Sequence, residues 1–325
     1  MTKGQISPAR RARGRRSQRR KGRPWIPLLL ATGLLVGLVA FCALAGALGA
    51  LNETTPRSGQ PGASRFNLLV LGIDQRADET GPTRSDAMVL AGVRPDSQQA
   101  ALLSIPRDLW VDIPGVGEQR INTALFFGYD DADPLAGPGL AVTAVEQNLG
   151  VPVDRVAVID FNSFVRLVDA LGGIEIDVPR AIVDTEFPTP DSGVTTIQFE
   201  PGVQQMTGEQ ALIYARTRHG DDDFGRAERQ QQVIGAIAVR LVNPAVWPRL
   251  PAVLDVLRTG VLTDVRVGDY PALWSLVKAV GTGNVQTATL ADASTPWITQ
   301  AGAWVLLPDW SAIEATMARL FGQAR

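Results

Sequence analysis

Cysteine and histidine are almost absent from this sequence of 325 residues, which holds Cys42 and His219 and no other residue of either type. Cys42 therefore has no partner for an intrachain disulfide and cannot build a cysteine zinc site. A single histidine excludes a histidine-rich metal site and disfavours a histidine-based catalytic triad. The chemistry of the protein must come from other polar side chains.

The N-terminal part of the chain consists of a segment without negative charge followed by a segment without any charge. Residues 1–23 contain ten Lys or Arg and no Asp or Glu, and residues 24–51 contain no charged residue. As a helix, a segment of this length reaches about 40 Å, which exceeds the roughly 30 Å of hydrocarbon in a bilayer. We predict a transmembrane signal anchor at 24–51 and, by the positive-inside rule, a cytoplasmic tail at 1–23.

Both segments have a second interpretation. The basic tail could bind nucleic acid, and the apolar segment could be a cleavable signal peptide with a cleavage site near the Ala-Leu-Ala of 43–45. The apolar run is longer than the usual core of a signal peptide, and the basic run directly precedes it. Both facts favour a single-pass protein of the cytoplasmic membrane that has no nucleic-acid partner. Everything after residue 52 then lies outside the cytosol.

The rest of the chain is acidic. Residues 24–325 carry 21 Lys or Arg against 33 Asp or Glu, which excludes a diffuse affinity for polyanions, so any anion site must be local. Residues 52–64 form a polar linker rich in Pro, Gly and Ser. We expect one extracytoplasmic catalytic domain over 65–325.

Strand-like and helix-like segments alternate along this domain, which predicts an α/β layered fold. Continuous apolar runs indicate buried strands, and periodic segments that end at glycine indicate helices. Residues 181–203, rich in Pro, Gly and Thr, are predicted to be a loop region. The predicted strands are 66–73, 87–93, 100–105, 155–160, 174–179, 285–291 and 303–308, and the predicted helices are 121–128, 137–150, 161–173, 207–218, 224–242, 270–281 and 310–321.

Each of the first three predicted strands has charged residues at one of its ends. If these strands pair as an up-down-up meander, the end of the first, the start of the second and the end of the third meet at one edge. Any one such charge would ordinarily be a solvated turn residue or a weak surface ion pair, but three charged pairs at one edge indicate a site. The residues are Asp74 and Arg76, Arg84 and Asp86, and Arg107 and Asp108.

The segment 214–232, YARTRHGDDDFGRAERQQQ, adds further arginines and three aspartates. On the second of its two predicted helices, Arg226, Arg229 and Gln230 share one face, at spacings i, i+3 and i+4. Arginine forms bidentate hydrogen bonds to phosphate oxygens, while paired carboxylates bind Mg²⁺, which in turn bridges phosphates. The combination predicts a site for a divalent cation and a diphosphate. His219 could be a general base, but its position favours a turn residue.

Six blocks of the sequence together resemble the LytR-CpsA-Psr family over residues 66–240, and the stretch to 325 resembles a looser continuation. The blocks are LGIDQR, RSDAMVL, SIPRDLWVDIPG, INTALFFG, VIDFNSFVRLVDALGGIEIDV and MTGEQALIYARTRHGDDDFGRAERQQQVI. The resemblance implies an α/β domain outside the membrane, with a central mixed or largely antiparallel sheet flanked by helices. It also implies transfer of a glycopolymer from a polyprenyl-pyrophosphate carrier to peptidoglycan, as a phosphodiester.

The resemblance also implies roles for individual residues. Asp74 and Asp86 match the positions of the Mg²⁺ ligands, with Mn²⁺ as the alternative ion, and together with Arg107 they are the expected catalytic residues. Asp223 is the preferred additional acidic residue, ahead of Asp221 and Asp222. The polyprenyl tail is expected in an apolar channel lined by the sheet and the helices of 121–170. The residues expected to bind the pyrophosphate are Arg84, Arg107, Arg216, Arg218, Arg226, Arg229 and Gln230.

Three other functions remain open at this point. The same site could hydrolyse a lipid diphosphate with water as the acceptor. The protein could be a non-catalytic, membrane-anchored regulator, although the arginines of the site follow the predicted anchor and so lie where DNA is absent. It could also be a purely structural lipid-binding module.

Overall fold

The computed structural model describes residues 65–75, 81–94, 96–189, 193–217 and 223–322, which all belong to one compact unit. The predicted tail, anchor and linker lie outside these ranges. So do Arg76, Arg218, His219, Asp221 and Asp222, and only the backbone of Asp223 is described.

The described ranges contain fourteen strands, most of them short. They are β1 (Phe66–Ile73), β2 (Ser85–Arg94), β3 (Gln99–Ser104), β4 (Trp110–Ile113), β5 (Gly117–Arg120), β6 (Arg155–Asp160), β7 (Ile174–Val178), β8 (Ile182–Pro188), β9 (Val194–Phe199), β10 (Gly202–Met206), β11 (Val261–Thr263), β12 (Val285–Thr289), β13 (Ser294–Ile298) and β14 (Trp304–Pro308).

Eight α-helices occur in the same ranges. The helices are α1 (Ala124–Phe127), α2 (Ala136–Leu149), α3 (Phe161–Ala170), α4 (Gly208–Arg216), α5 (Asp223–Val242), α6 (Leu250–Gly260), α7 (Tyr270–Gly281) and α8 (Trp310–Phe321).

Six strands form the central sheet, in the order β11-β6-β1-β2-β3-β12. The sheet is mixed: β2 is antiparallel to both β1 and β3, whereas β6 is parallel to β1 and β12 is parallel to β3. The predicted meander of the first three strands is therefore confirmed. The ends of β1 and β3 and the start of β2 lie at one edge of the sheet.

Apolar residues alternate along β1 and β2, so each face of the sheet has its own core. Leu69 and Leu71 share a buried cluster with Val145 of α2 and Met317 of α8. On the opposite face, Val89 belongs to a second cluster, which also contains apolar residues of α5 and α7. The sheet is thus the middle layer of three.

The prediction of a loop at 181–203 is wrong, because this segment folds into the β8–β9 hairpin and the start of β10. Ile182 and Phe199 turn inward and pack in a third cluster with Tyr214 of α4. Burial of these side chains outweighs the Pro and Gly content that suggested a loop. The hairpin supplies one side of the site described below.

The start of α4 is confirmed in detail. Thr207 accepts a hydrogen bond from the backbone N–H of Gln210, whose side chain accepts one from the backbone of Thr207, so both predicted bonds of the capping box form. Next to it, a Cβ added to Gly208 would lie 2.2 Å from the carbonyl oxygen of Val165 in α3. Glycine therefore allows α3 and α4 to pack closely. This packing fixes the position of α4, and with it the position of Arg216 at the end of the helix.

A buried ion pair stabilises the other end of the sheet, where β6 begins. Arg155 Nε and Nη2 contact Asp269 Oδ2 at 2.5 Å and Oδ1 at 3.2 Å, and both side chains are more than nine-tenths buried. Asp269 also accepts a hydrogen bond from the backbone N–H of Arg266. The pair connects the sheet to the segment that leads into α7.

No single helix of the described residues is both long and apolar enough to cross a membrane. The segments 225–242 and 244–260 meet the length and hydropathy criteria only when taken together, and they are bent by 87° relative to each other.

We expect Asp269→Ala to lower the free energy of unfolding by about 3–5 kcal/mol, because it leaves the buried guanidinium of Arg155 without its counter-ion. Urea denaturation measures the change. The matched control is Asp255→Ala, which removes the partner of Arg258 from an exposed pair and should cost less than about 1 kcal/mol. Equal losses in the two variants would contradict a structural role for the buried pair.

Candidate active site

A cavity of about 570 Å³ opens at the edge of the sheet where β1 ends and β2 begins. Its walls come from these two strands, from the β8–β9 hairpin and from helices α3, α4 and α5. The volume lies in the range of small-molecule binding pockets. The apolar residues of the wall are Val70, Gly72, Ala87, Val89, Ile159, Phe161, Phe164, Phe187, Pro188, Leu212, Ala215, Val233 and Ile234.

Strand alternation explains the apolar wall. Leu69 and Leu71 point into the core on the other face of the sheet, so Val70 and Gly72 face the cavity. A Cβ added to Gly72 would lie 3.2 Å from the Cβ of Ala87, the neighbouring wall residue on β2. The small side chains at these two positions keep this part of the wall open.

The expected channel wall is reproduced only in part. Phe161 and Phe164 of α3 do line the cavity, whereas no residue of α1 or α2 does. Helix α2 packs in the cluster on the opposite face of the sheet, through residues such as Val145. The apolar wall draws instead on α4 and α5, which lie later in the chain.

Most of the described charged residues that the sequence singled out surround this one cavity. Asp74 follows β1, Asp86 lies in β2, and Arg107 follows β3, as the meander requires. Arg216 comes from the end of α4. Arg226 and Gln230, one helical turn apart on α5, complete this set on the cavity wall.

Arg107 is held between two carboxylates. Its Nη1 donates to Asp86 Oδ1 at 2.7 Å, and its Nε lies 3.3 Å from Asp108 Oδ2. Burial alone would lower the pKa of Arg107, but the carboxylates of Asp108 and Asp86 outweigh it and raise the pKa above its ordinary value. The guanidinium therefore keeps its charge and is restricted to one orientation.

Arg216 is oriented by an ion pair and by aromatic rings. Its Nη2 lies 3.2 Å from Asp74 Oδ2. Its Cζ lies 4.4 Å from the centroid of the Phe161 ring and 5.9 Å from that of Phe187. Both distances are within the range of a cation–π contact, so the cavity wall itself holds this charge in place.

Two of the expected pyrophosphate-binding arginines do not lie on the cavity wall. Arg84 precedes β2, is exposed, and its Cζ lies 5.7 Å from the Phe126 ring centroid. Arg229 is buried, and its Nη2 donates to the carbonyl oxygen of Thr217 at 2.5 Å. Because α5 turns 100° per residue, Arg226 and Gln230 face the cavity while Arg229 points toward Thr217 at the end of α4.

Three wall residues on β8 escaped the sequence analysis because their segment was taken for a loop. Asp184 is buried and accepts a hydrogen bond from the Thr217 hydroxyl at 2.7 Å. Glu186 and Phe187 also line the cavity. The sequence of 182–187, IVDTEF, does not alternate between apolar and polar residues, so the β-branched residues Ile182, Val183 and Thr185 were the available signal of a strand.

The carboxylates of Asp74 and Asp86 suit a magnesium ion, because Mg²⁺ prefers hard oxygen ligands and binds through one or two carboxylates together with substrate phosphates. Each carboxylate has one oxygen in contact with an arginine, and the second oxygen of each makes no hydrogen bond to a described residue. No group of three or more Asp, Glu, His or Cys side chains within the described ranges is arranged to hold a metal. Phosphate oxygens and water would therefore complete the coordination.

We expect Phe161→Ala to weaken the binding of magnesium pyrophosphate by about 2- to 30-fold, since the cation–π contact contributes about 0.5–2 kcal/mol to holding the guanidinium of Arg216. Isothermal titration calorimetry measures the affinity. The matched control is Phe126→Ala, which removes the ring next to Arg84, away from the cavity wall. The same affinity in the two variants would show that the Phe161 ring does not orient the site.

Comparison with known proteins shows which family the chain resembles. The profile of the LytR_cpsA_psr family matches residues 48–321. The polyisoprenyl-teichoic acid–peptidoglycan teichoic acid transferase TagT of Bacillus subtilis (strain 168) is 30% identical over 287 residues, which cover 82% of this chain and 85% of TagT. Regulatory protein MsrR of Staphylococcus aureus (strain COL) is 31% identical over 204 residues, 62% of this chain and 57% of MsrR.

A solved structure of TagT bound to LIIa-WTA has a TM-score of 0.61 and 25% sequence identity, and it covers 83% of this chain and 96% of that chain. The mixed sheet flanked by helices is thus shared with proteins of known structure. The profile match extends over most of the described domain. The chain belongs to the LytR-CpsA-Psr family.

Proposed function

We propose that this protein transfers a glycopolymer from a polyprenyl-pyrophosphate carrier to peptidoglycan as a phosphodiester, in the biogenesis of the cell wall. The observation that carries the proposal is the cavity at the edge of the sheet. Its wall is apolar, and arginines paired with aspartates line the same space. A ligand that fits it needs a long apolar part joined to a compact polyanion, and a lipid diphosphate has both.

The diphosphate would be held by Arg107, Arg216 and Arg226, with Gln230 as an uncharged donor. Arginine presents several N–H donors in a planar fork, so each residue can contact two phosphate oxygens. Arg107 and Arg216 are already oriented by carboxylates or by aromatic rings. The polyprenyl chain would lie against the apolar wall, where its burial supplies binding free energy in proportion to the area removed from water.

In the proposed reaction, a hydroxyl of the peptidoglycan acceptor attacks the phosphorus on the glycan side of the diphosphate. A P–O bond forms to the acceptor, and the bond from this phosphorus to the bridging oxygen breaks. The hydroxyl proton is released, and polyprenyl phosphate leaves with the bridging oxygen. The arginines of the cavity wall would stabilise the charge that develops on this leaving group, as fixed donors do in other phosphoryl transfers.

Asp74 and Asp86 are the proposed magnesium ligands, with manganese as a possible replacement. The ion would supply charge neutralisation at the diphosphate. Arg218 and Asp223 are proposed to join the site because the segment that carries them directly follows Arg216 and leads into α5. We also propose that the domain lies outside the cytoplasmic membrane, attached through the predicted anchor at 24–51.

Two other functions compete with transfer. A hydrolase could use the same residues with water as acceptor, and a regulator is suggested by the name of MsrR. The aligned part covers 85% of TagT but 57% of MsrR, which favours transferase activity. The products decide between transfer and hydrolysis, because only transfer yields a covalent phosphodiester between glycan and peptidoglycan.

We expect Arg107→Ala to reduce the transfer of a lipid-diphosphate glycan to peptidoglycan fragments by about 10²- to 10³-fold, the usual loss when one stabilising donor is removed from a reaction site. Mass spectrometry of the phosphodiester product, with magnesium present, measures the rate. The control is Arg258→Ala, which removes an exposed arginine of α6. Full transfer by Arg107→Ala would refute the assignment.

The same assay tests the metal. Chelation should abolish transfer, and added Mg²⁺ should restore it for the wild type. Asp74→Asn should need a higher Mg²⁺ concentration, because one charged ligand is lost. If transfer is unaffected by chelation, the two aspartates serve only to orient the arginines.

We expect Ala87→Phe to block the apolar part of the cavity, because Ala87 on β2 lines the cavity beside Gly72 and a phenyl ring there would project into it. The variant should co-purify with less bound polyprenyl lipid and transfer at least about tenfold less glycan, while retaining its affinity for magnesium pyrophosphate. Ala132→Phe, the same change at an exposed position, is the control. Undiminished lipid in Ala87→Phe would place the polyprenyl chain elsewhere.

A further inference from the structure

A second, smaller cavity of about 80 Å³ lies at the opposite end of the central sheet, where β1 and β3 begin and β2 ends. Asn67 of β1 lines this cavity and Val70 of β1 lines the first, so the two cavities lie three residues apart along the strand and on opposite faces of the sheet. Its polar lining includes three arginines, Arg65, Arg94 and Arg319, and two glutamines, Gln99 and Gln286.

These five side chains carry hydrogen-bond donors that are not used within the described part of the protein. None of them makes an ion pair or a side-chain hydrogen bond with a described residue. Arg107 and Arg216 at the first cavity differ, because each contacts an aspartate. The described residues that line the second cavity therefore gather positive charge and include no carboxylate.

The balance of charge around this cavity is unfavourable without a bound anion. Burial and the nearby charge of Arg94 lower the pKa of Arg65 from its ordinary value, so its guanidinium is both partly desolvated and repelled. Arg65 also lies beside Gly322, at the end of α8. A helix C-terminus carries a partial charge of only about −0.5, which cannot offset three guanidinium groups.

We propose that this cavity is a binding site for a phosphate or phosphate-ester anion, held by Arg65, Arg94 and Arg319 with Gln99 and Gln286 as neutral donors. Forked arginines and amide donors match the oxygens of a tetrahedral phosphate. The cavity is about one seventh of the volume of the first, which suits a compact anion better than a sugar. An apolar ligand would leave the five polar side chains desolvated and without acceptors.

The position in the chain favours a phospholipid head group as the source of this phosphate. Arg65 follows the last residue of the predicted anchor by 14 residues, so the chain can extend at most about 50 Å between them. This proximity in sequence to the predicted anchor makes a phospholipid head group a readily available source of the phosphate. Outer-leaflet phosphatidylglycerol and inorganic phosphate share the required chemistry, and the test separates them.

The test measures ligand binding by the full-length protein in detergent, so its result does not depend on transfer activity or on the proposed function. The probes are inorganic phosphate, dihexanoyl-phosphatidylglycerol and dihexanoyl-phosphatidylcholine, titrated calorimetrically without magnesium. Arg94→Gln and Arg319→Gln should each weaken phosphate binding by about tenfold or more, because a charge-assisted hydrogen bond is lost. Arg258→Gln on α6 makes the same change at an exposed site and should not weaken it.

A second readout guards against a purely structural role for the arginines. Without ligand, Arg94→Gln should melt at the same temperature as the wild type or higher, since it removes repulsion on Arg65. With ligand, the variant should gain less stability than the wild type. Stronger binding of phosphatidylglycerol would identify the head group as the ligand, and stronger binding of inorganic phosphate would identify a soluble one.

The proposal is overturned if the wild type binds neither anion, or if Arg94→Gln and Arg319→Gln bind as tightly as Arg258→Gln. It is also overturned if phosphatidylcholine, which carries the same phosphodiester but no net charge, binds as tightly as phosphatidylglycerol, because the three guanidinium groups would then not select for an anion. Arg216→Gln provides a further comparison. This variant changes the first cavity. If it alone lost phosphate binding, the anion would bind in the first cavity and the proposal would be overturned.

Discussion

The antiparallel pairing of β1 with β2 is the constraint on which the site depends. Gly72 lies opposite Ala87, and a register shift then brings Ile73 opposite Ser85. This pairing puts Asp74 and Asp86 at one edge of the sheet. Their positions are therefore set by the register of the strands. The register is enforced by burial, since a slip of one residue would turn the core side chains of both strands toward the wrong face.

The arginine side chains at the cavity are held by contacts that restrict their motion before any ligand binds. Arg107 is fixed by two carboxylates, and Arg216 by one carboxylate and the ring of Phe161. Long cationic side chains otherwise lose about 1.5–2 kcal/mol of rotamer entropy on binding a ligand. Orienting them in advance moves part of that loss from the binding step to the folding step, which is the usual basis of preorganisation.

Much of this arrangement could be predicted from the sequence, and the failures have definite causes. Continuous apolar runs identified β1, β2 and β3, because buried strands leave a strong local signal. Thr207 and Gln210 identified the start of α4, because a capping box is also a local pattern. The β8–β9 hairpin was missed because its stability comes from packing against distant residues such as Tyr214. The orientation of Arg229 toward Thr217 could not be predicted either, since it depends on how α4 and α5 pack together.

The cavity is assembled from segments as far apart in the chain as Asp74 and Gln230, so it exists only when the whole domain is folded. Any ligand of the cavity must then stabilise the domain as a whole, by about 2.7 kcal/mol at a free concentration one hundred times its dissociation constant. Carrier lipid would thus act as a folding ligand as well as a reactant. A molecule that has not yet bound its lipid would be the form most readily degraded by proteases.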